Sequence, residues 1–325
     1  MSKPILVSGI QPTGTLHIGN YLGALKNFIE LQNDYQCFYF IATYHSLTAG
    51  HDPKTKKDLI FNLALDYLAA GIDPSKVALY DQVDVPECTE LTWIFNCVTP
   101  IAELERMTQF KDKSAKNAKN INMGLLDYPV LQAADILISH AVKVPVGEDQ
   151  IQHVELTRSV ARWFNNRYQE YFKIPEPLVT KAKRIMSIVD PTKKMSKSNG
   201  DNHCIYLADE PDVILAKLKK APTGTGTEGS PTPGAANLLM LLEEFGATEE
   251  AAVFKKAIKD KTIKFSELKA TLANIISGYF ADFRTKRKEL AKKPEYIWKV
   301  LKDGAAQARP IAQKTIKEVK EIVGI

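Results

Sequence analysis

The sequence predicts an α/β protein: a doubly wound parallel sheet with a helical insertion, followed by an all-α C-terminal domain. Two observations carry this. Short apolar runs bounded by glycine or turn residues alternate with helical patterns through the first two hundred residues, as strand–crossover–strand units do. Beyond residue 207 the strand pattern stops and helical periodicity takes over. A length of 325 residues suits two domains. The expected division is 1–207, with the insertion at about 86–140, and 208–325.

Ile5-Leu6-Val7-Ser8 reads as a buried strand closed by Gly9, and Gln11-Pro12-Thr13-Gly14-Thr15 as a turn. From His17 the pattern is helical, with Leu22, Leu25 and Ile29 on one face. Strand, glycine-containing turn and helix in that order open a Rossmann-like sheet. Ligands bind there beyond the carboxyl ends of strands, against helix N-termini with unpaired N–H groups. Cys37 to Ala42 is a second strand. Asp52 as N-cap and Pro53 at N1 start a helix that stops at Gly71. Val77 to Tyr80 is a third strand.

After Pro86 the chain turns helical, with a lysine-rich surface stretch from Lys111 to Asn122. In the helix from Tyr128 to Ile138, residues Tyr128, Gln132 and Asp135 share a face. Asp135 has apolar neighbours, so it is either a solvent-facing charge or a buried acceptor with a dedicated partner. Val142 to Val146 is a further strand, ending at Gly147-Glu148-Asp149-Gln150. The helix after it carries His153, Leu156, Val160, Trp163 and Phe164. Cys204-Ile205-Tyr206-Leu207 is expected to close the sheet. Helices are expected over 238–245, 249–258, 266–283 and 304–323.

With 45% hydrophobic and 25% charged residues, the composition is that of an ordinary globular protein. A formal net charge of +5 permits a polyanionic partner without requiring one. The four cysteines lie far apart with no CxxC pair, which argues against a zinc site or a disulfide framework, and no protein-bound metal is expected. No run has the length of a signal h-region or a membrane span, so a cytoplasmic protein with no membrane partner is expected. Residues 251–300 hold 13 Lys and Arg against 5 Asp and Glu. That fits contact with a phosphate backbone, and equally a solvated lysine face.

Thr192-Lys193-Lys194-Met195-Ser196-Lys197-Ser198 makes a poor helix and a poor strand, and reads as a mobile surface loop. Its ammonium, hydroxyl and backbone N–H groups suit several phosphate oxygens at once. Taken alone, such a composition more often means a solvated loop with no ligand.

The wider pattern reverses those odds. His17-Ile18-Gly19-Asn20 and Lys194-Met195-Ser196-Lys197-Ser198 resemble the two motifs of class I aminoacyl-tRNA synthetases. Gly9 to Gly14, Glu103 to Lys113, Tyr128 to Asp135, Pro145 to Gln150 and Ser187 to Ser198 resemble, in order, the bacterial tryptophanyl-tRNA synthetases of that class. There are departures. Asn20 stands where the first motif usually ends in His, Thr43 where an Asp is common, and Gln132 where a Met is often found.

The resemblance implies tryptophan activation with ATP and Mg2+, transfer to tRNA, a homodimer and a C-terminal anticodon-reading domain. It implies catalytic roles for His17, Asn20, Lys194 and Lys197. ATP contacts would come from Gln11, Pro12, Thr13, Gly19, Asn20, Lys113, Gly147, Glu148, Asp149, Ile185, Lys194, Met195, Ser196, Lys197 and Ser198. Tryptophan would meet Val7, Gly9, Gln11, His45, Tyr128, Gln132, Asp135 and Gln150. Asp135 has independent sense as the partner of the indole N–H, since indole offers one donor and no acceptor. Competing expectations are a tyrosine enzyme of the same subclass and a non-catalytic RNA-binding paralogue.

Overall fold

The computed structural model describes residues 3–48, 52–116, 121–147, 150–179, 184–226 and 229–325, without the side chains of 113, 115 and 116. The chain forms two compact units. The first comprises 1–14, 27–181 and 293–325, and the second 15–26 and 182–292. The division therefore does not fall at residue 207.

The first unit is built on five parallel strands: β1 Ile5–Ile10, β2 Gln36–Ile41, β3 Val77–Asp81, β4 Lys143–Val146 and β5 Glu176–Val179. Their order is β3-β2-β1-β4-β5. Gly9 faces Phe40 across β1 and β2, Phe40 faces Tyr80 across β2 and β3, and Leu6 faces Lys143 across β1 and β4. Strand order reverses between β1 and β4. That switch point opens a crevice at their carboxyl ends, the default ligand position in an open α/β sheet. Crossovers include the helices Pro53–Ala70 and Ile151–Arg167. Asp52 caps the first by accepting from the Lys54 N–H at 2.9 Å, as its sequence position predicts.

Two strand expectations change. Residues 204–207 do not join the sheet. Ile205 accepts from the Ile18 N–H at 2.9 Å, the Leu207 N–H donates to Leu16 at 3.0 Å, and Tyr206 makes an isolated antiparallel bridge with His17. The fifth strand is β5, whose Pro177 hides it from a strand pattern. Proline lacks a ladder donor and is tolerated at a sheet edge, where β5 lies.

β3 is the opposite edge, yet all five of its residues are buried. The helix Pro294–Val323 covers it, starting ten residues earlier than the expected 304. Gly304 sits inside this helix where its backbone meets that of Leu79, and a Cβ there would overlap the Leu79 carbonyl. The helix is tied to its unit by polar contacts as well. Arg309 Nε donates to Glu87 at 2.8 Å, Thr315 Oγ1 to the Ile138 carbonyl at 2.9 Å, and the Tyr171 hydroxyl to Glu318 at 2.7 Å. Ala305, Ala308, Ala312, Ile316 and Val319 join the core formed by Val7, Phe38, Phe40 and Tyr80.

The second unit is helical. A short helix Ile18–Asn20 runs on through a π-helical turn Tyr21–Leu25. Beyond the basic loop 192–198 lie Pro211–Lys219, Pro233–Glu244, Thr248–Lys259, Phe265–Tyr279 and Ala281–Ala291. The expected helix 266–283 is thus two helices, interrupted at Phe280. That ring is 2% exposed and packs edge-on to Tyr21 at 5.0 Å. Among the described residues no helix is long and apolar enough to cross a membrane.

Candidate active site

In the first unit the chemistry gathers around Asp135. Its helix, Met123–Ile138, is buried along Tyr128, Ala134, Asp135 and Ile138. A carboxylate 5% exposed on such a surface needs partners, and it has them. His45 Nε2 lies 2.8 Å from Oδ2. A carboxylate only accepts, so Nε2 carries the hydrogen. Gln82 Nε2 donates to Oδ1 at 2.9 Å and to Oδ2 at 2.8 Å. The Gln82 carbonyl oxygen is itself fixed by the Tyr44 N–H at 2.9 Å. The Cys88 thiol bonds to Asp135 as well, so His45, Gln82 and Cys88 share its acceptor directions, with the thiol the weakest donor of the three.

Tyr128 is 8% exposed, its ring edge-on to His45 at 6.5 Å, and its hydroxyl lies 3.0 Å from His153 Nε2. The structure thus brings His45, Tyr128 and Asp135 together. Val7 is fully buried on β1. Gly9, next to the crevice, has no room for a side chain, because a Cβ would meet the Phe40 ring at 2.7 Å. Gln11 and Gln150 are half-buried in the loops after β1 and β4, and Gln132 is half-buried on the Asp135 helix. Pro12 is buried and Thr13 exposed, its N–H donating to the Gln11 carbonyl at 2.9 Å. Gly147 follows β4 and accepts from the Gln150 N–H at 2.9 Å. Glu148 and Asp149 lie outside the described residues, as does the side chain of Lys113. Thr43, where a carboxylate is common, donates its hydroxyl to Asp81 at 2.6 Å.

In the second unit, His17 caps the helix Ile18–Asn20. Its Nδ1 accepts from the Asn20 N–H at 3.3 Å, and Asn20 Oδ1 accepts from the His17 N–H at 3.2 Å. This reciprocal box uses one polar atom of each side chain. Nδ1 is the acceptor, so the neutral imidazole carries its hydrogen on Nε2. Burial, and after it the charges of Lys197 and Lys194, push the His17 pKa down to about 4. Neutral His17 is therefore a donor at Nε2, and Asn20 keeps its amide NH2. The space over Gly19 is taken by the His17 ring, 3.0 Å from where a Cβ would stand, with Ile185 at 3.6 Å. Gly19 serves that packing in this structure.

The basic loop is better anchored than its composition suggests. Met195 is 3% exposed and its N–H donates to Ile185, itself 3% exposed, at 2.9 Å. Lys194 bridges to Met186, and the Ser187 N–H donates to Lys193 at 2.8 Å. Upstream, Asp190 accepts from the Thr192 hydroxyl at 2.6 Å and pairs with Lys193, which hold its carboxyl down at about 2. Lys194 is exposed, Lys197 is half-buried in the turn Lys197–Asn199, and Ser196 and Ser198 hydroxyls lie 2.9 Å apart. The result is two lysines and a neutral histidine donor in one unit, a set suited to polyphosphate oxygens.

Gln82 escaped the sequence reading, and His153 was read only as part of its helix, with no place at the site. Each acts through a residue far away in sequence.

The chain matches the family model described as tRNA synthetases class I (W and Y) over residues 1–281. It is 46% identical to a tryptophan–tRNA ligase of Wolinella succinogenes, covering all of both proteins. It is 44% identical to one of Caldanaerobacter subterraneus subsp. tengcongensis, covering 98% of this chain and 97% of that protein. A crystal structure of tryptophanyl-tRNA synthetase from Campylobacter jejuni, complexed with ADP and tryptophan, superposes with a TM-score of 0.86. It is 34% identical and is matched over 99% of this chain and 100% of that one.

Proposed function

The chain belongs to the class I tRNA synthetases of the W and Y family, and from that premise we propose how its residues divide the work. Its activity is tryptophan–tRNA ligation. ATP is its substrate, and we place Mg2+ with the triphosphate as part of that substrate. Among the described residues no group of three or more His, Cys, Asp or Glu is arranged to hold a metal ion.

A tryptophan carboxylate oxygen attacks the α-phosphorus of ATP. The bond to the bridging oxygen breaks, and pyrophosphate leaves with the electron pair. A ribose hydroxyl of the terminal tRNA adenosine then attacks the acyl carbon, AMP leaves, and the hydroxyl proton is released. The first nucleophile is already ionised, so the protein's task is positioning and charge stabilisation. His17 Nε2–H, the Asn20 amide, Lys194 and Lys197 would meet phosphate oxygens, with Met195, Ser196, Ser198, Gly19 and Ile185 shaping that site. Gln11, Pro12, Thr13, Lys113, Gly147, Glu148 and Asp149 would complete the ATP contacts. Asp135 would accept the indole N–H, with Val7, Gly9, His45, Tyr128 and Gln132 around the ring and Gln11 and Gln150 toward the ammonium.

The observation that carries the specificity is the buried Asp135 carboxylate, fixed by His45 and Gln82, whose remaining contact is the weak Cys88 thiol donor that an indole N–H would outcompete. A tyrosine-specific pocket is not favoured, since both full-length relatives above are tryptophan enzymes. Pyrophosphate exchange measured with each of the twenty amino acids tests the reading. Exchange with tryptophan is expected, and exchange with tyrosine in its place would overturn it.

Residues 208–325 include the proposed anticodon-reading region, whose basic helices would follow the tRNA backbone in the cytoplasm. A homodimer is part of the same reading. On the helix Glu87–Asn96, Ile94 and Phe95 are buried while Trp93 is presented outward, at 72% exposure. It borders a cavity of about 400 Å³ with Leu47, Tyr44 and Leu131, and a second copy would cover this face.

A further inference from the structure

Lys217 is buried where a lysine is costly. It lies on the helix Pro211–Lys219 between Ile214 and Leu218, both fully buried, and is itself 4% exposed. An apolar side chain would serve the packing of that helix at least as well, because a buried ion pair seldom outperforms well-packed hydrophobes. What the ammonium adds is geometric. It donates to Asp209 Oδ2 at 2.9 Å, lies 3.3 Å from Asp201 Oδ2, and stands 4.3 Å above the centre of the Tyr206 ring.

Each partner belongs to one half of the proposed phosphate site. Asp201 opens the turn Asp201–His203, immediately after the turn Lys197–Asn199 that ends the basic loop. Asp209 Oδ2 also accepts from the Tyr206 N–H at 2.9 Å, and the Tyr206 hydroxyl bonds to Asp201. Tyr206 pairs with His17, and the next N–H of that segment, Ile18, donates to Ile205. One ammonium group therefore joins the exit of the basic loop to the segment 204–207 on which His17 is hung. The Tyr206 ring beneath it supplies a cation–π contact in a desolvated place.

We propose that Lys217 is a positioning residue for ATP, setting the register between Lys197 and His17 through Asp201, Asp209 and Tyr206. The inference rests on the reading of those two residues as phosphate-binding. Removing the ammonium leaves the fold of the helix but frees the loop exit, and a displacement of reacting groups by an ångström is enough to cost a large factor in rate.

The test is tryptophan-dependent pyrophosphate exchange by the full chain, per active site titrated, for Lys217→Met, Asp201→Asn and Lys197→Ala. Lys217→Met is expected to raise KM for ATP about tenfold or more and to lower kcat, with KM for tryptophan unchanged. A purely structural lysine would lower Tm and the fraction of active sites while leaving both KM values alone, and that outcome overturns the proposal. If Lys217→Met fails to fold, Asp201→Asn decides, because the Asp201 side chain is 68% exposed and its loss spares the Lys217–Asp209 pair. A severalfold rise in KM for ATP supports the proposal, and no change refutes it. Normal exchange by Lys197→Ala would overturn the phosphate-site reading itself. Loss of exchange there beside unchanged kinetics in Lys217→Met would overturn the positioning role alone.

Discussion

His17 is held neutral by its surroundings, and this has a measurable sign. Its folded pKa of about 4 lies below the unfolded value of 6.5. Between those values the unfolded chain binds the extra proton, so stability rises with pH across that window and falls on acidification through it. Phosphates docked on Lys194 and Lys197 would offset the two charges that help depress it. The His17 imidazole, followed by NMR, should therefore titrate higher with ATP present than without. An unchanged or lower value would separate His17 from the phosphates. At the other substrate, Asp135→Asn removes a charged acceptor and sets two amide groups against each other at Gln82. It should cost about 1.5–3 kcal/mol in kcat/KM for tryptophan, roughly ten- to a hundredfold, and narrow the preference over phenylalanine. Steady-state kinetics with both amino acids would show it, and an unaltered preference would refute the role. The helical face that carries Asp135 was legible in the sequence, though not which of its two settings holds, and His17 stood out only through the motif it belongs to. Gln82, His153 and Lys217 did not, because what each does depends on a partner brought to it by folding, and a polar residue in an apolar run does not declare its partner.

Among the elements, the strands with continuous apolar runs were legible and those that break the rule were not. β2 and β3 fall within one residue of their expected ends, since burial on both faces leaves an uninterrupted signal. β5 carries Pro177 and was invisible, while 204–207 looks like a strand but spends its backbone on the His17 segment. Gly304 misled in the opposite direction. A glycine read as the start of a helix is an interior residue at a close crossing. Two substitutions of the same kind separate the effects. Gly278→Ala, near the end of the helix Phe265–Tyr279 with nothing within 4 Å of the added atom, should stabilise by about 0.5–1 kcal/mol. Gly304→Ala should destabilise by about 1–3 kcal/mol, because the helix must lift from Leu79. Thermal melts of the two variants are expected to move in opposite directions, and a stabilised Gly304→Ala would mean the crossing is looser than the geometry states.

For the whole molecule, length suggested two parts divided at residue 207, but the two compact units are stitched differently. Each unit draws on segments that are distant in sequence, which no local pattern records. Two predictions belong here. Trp93→Glu should weaken self-association roughly thirtyfold, the cost of about 2 kcal/mol for losing a central aromatic anchor. Sedimentation would read this as a shift toward monomer, and an unshifted distribution would place the dimer face elsewhere. Raising salt should weaken tRNA charging steeply through KM for tRNA while changing tryptophan-dependent exchange far less, because only the first relies on many backbone phosphate contacts. Equal sensitivity of the two reactions would remove the basic helices from the tRNA reading.

The helix over β3 also sets a timetable for synthesis. β3 is made early, but its cover, Pro294–Val323, emerges on the order of 200 residues later, tens of seconds at about 5–20 residues per second. Throughout that interval the nascent sheet carries an open, apolar edge of the kind that pairs with other strands. The enzyme's most exposed moment is therefore on the ribosome, and variants that loosen this helix should first appear as poor soluble yield rather than as altered kinetics.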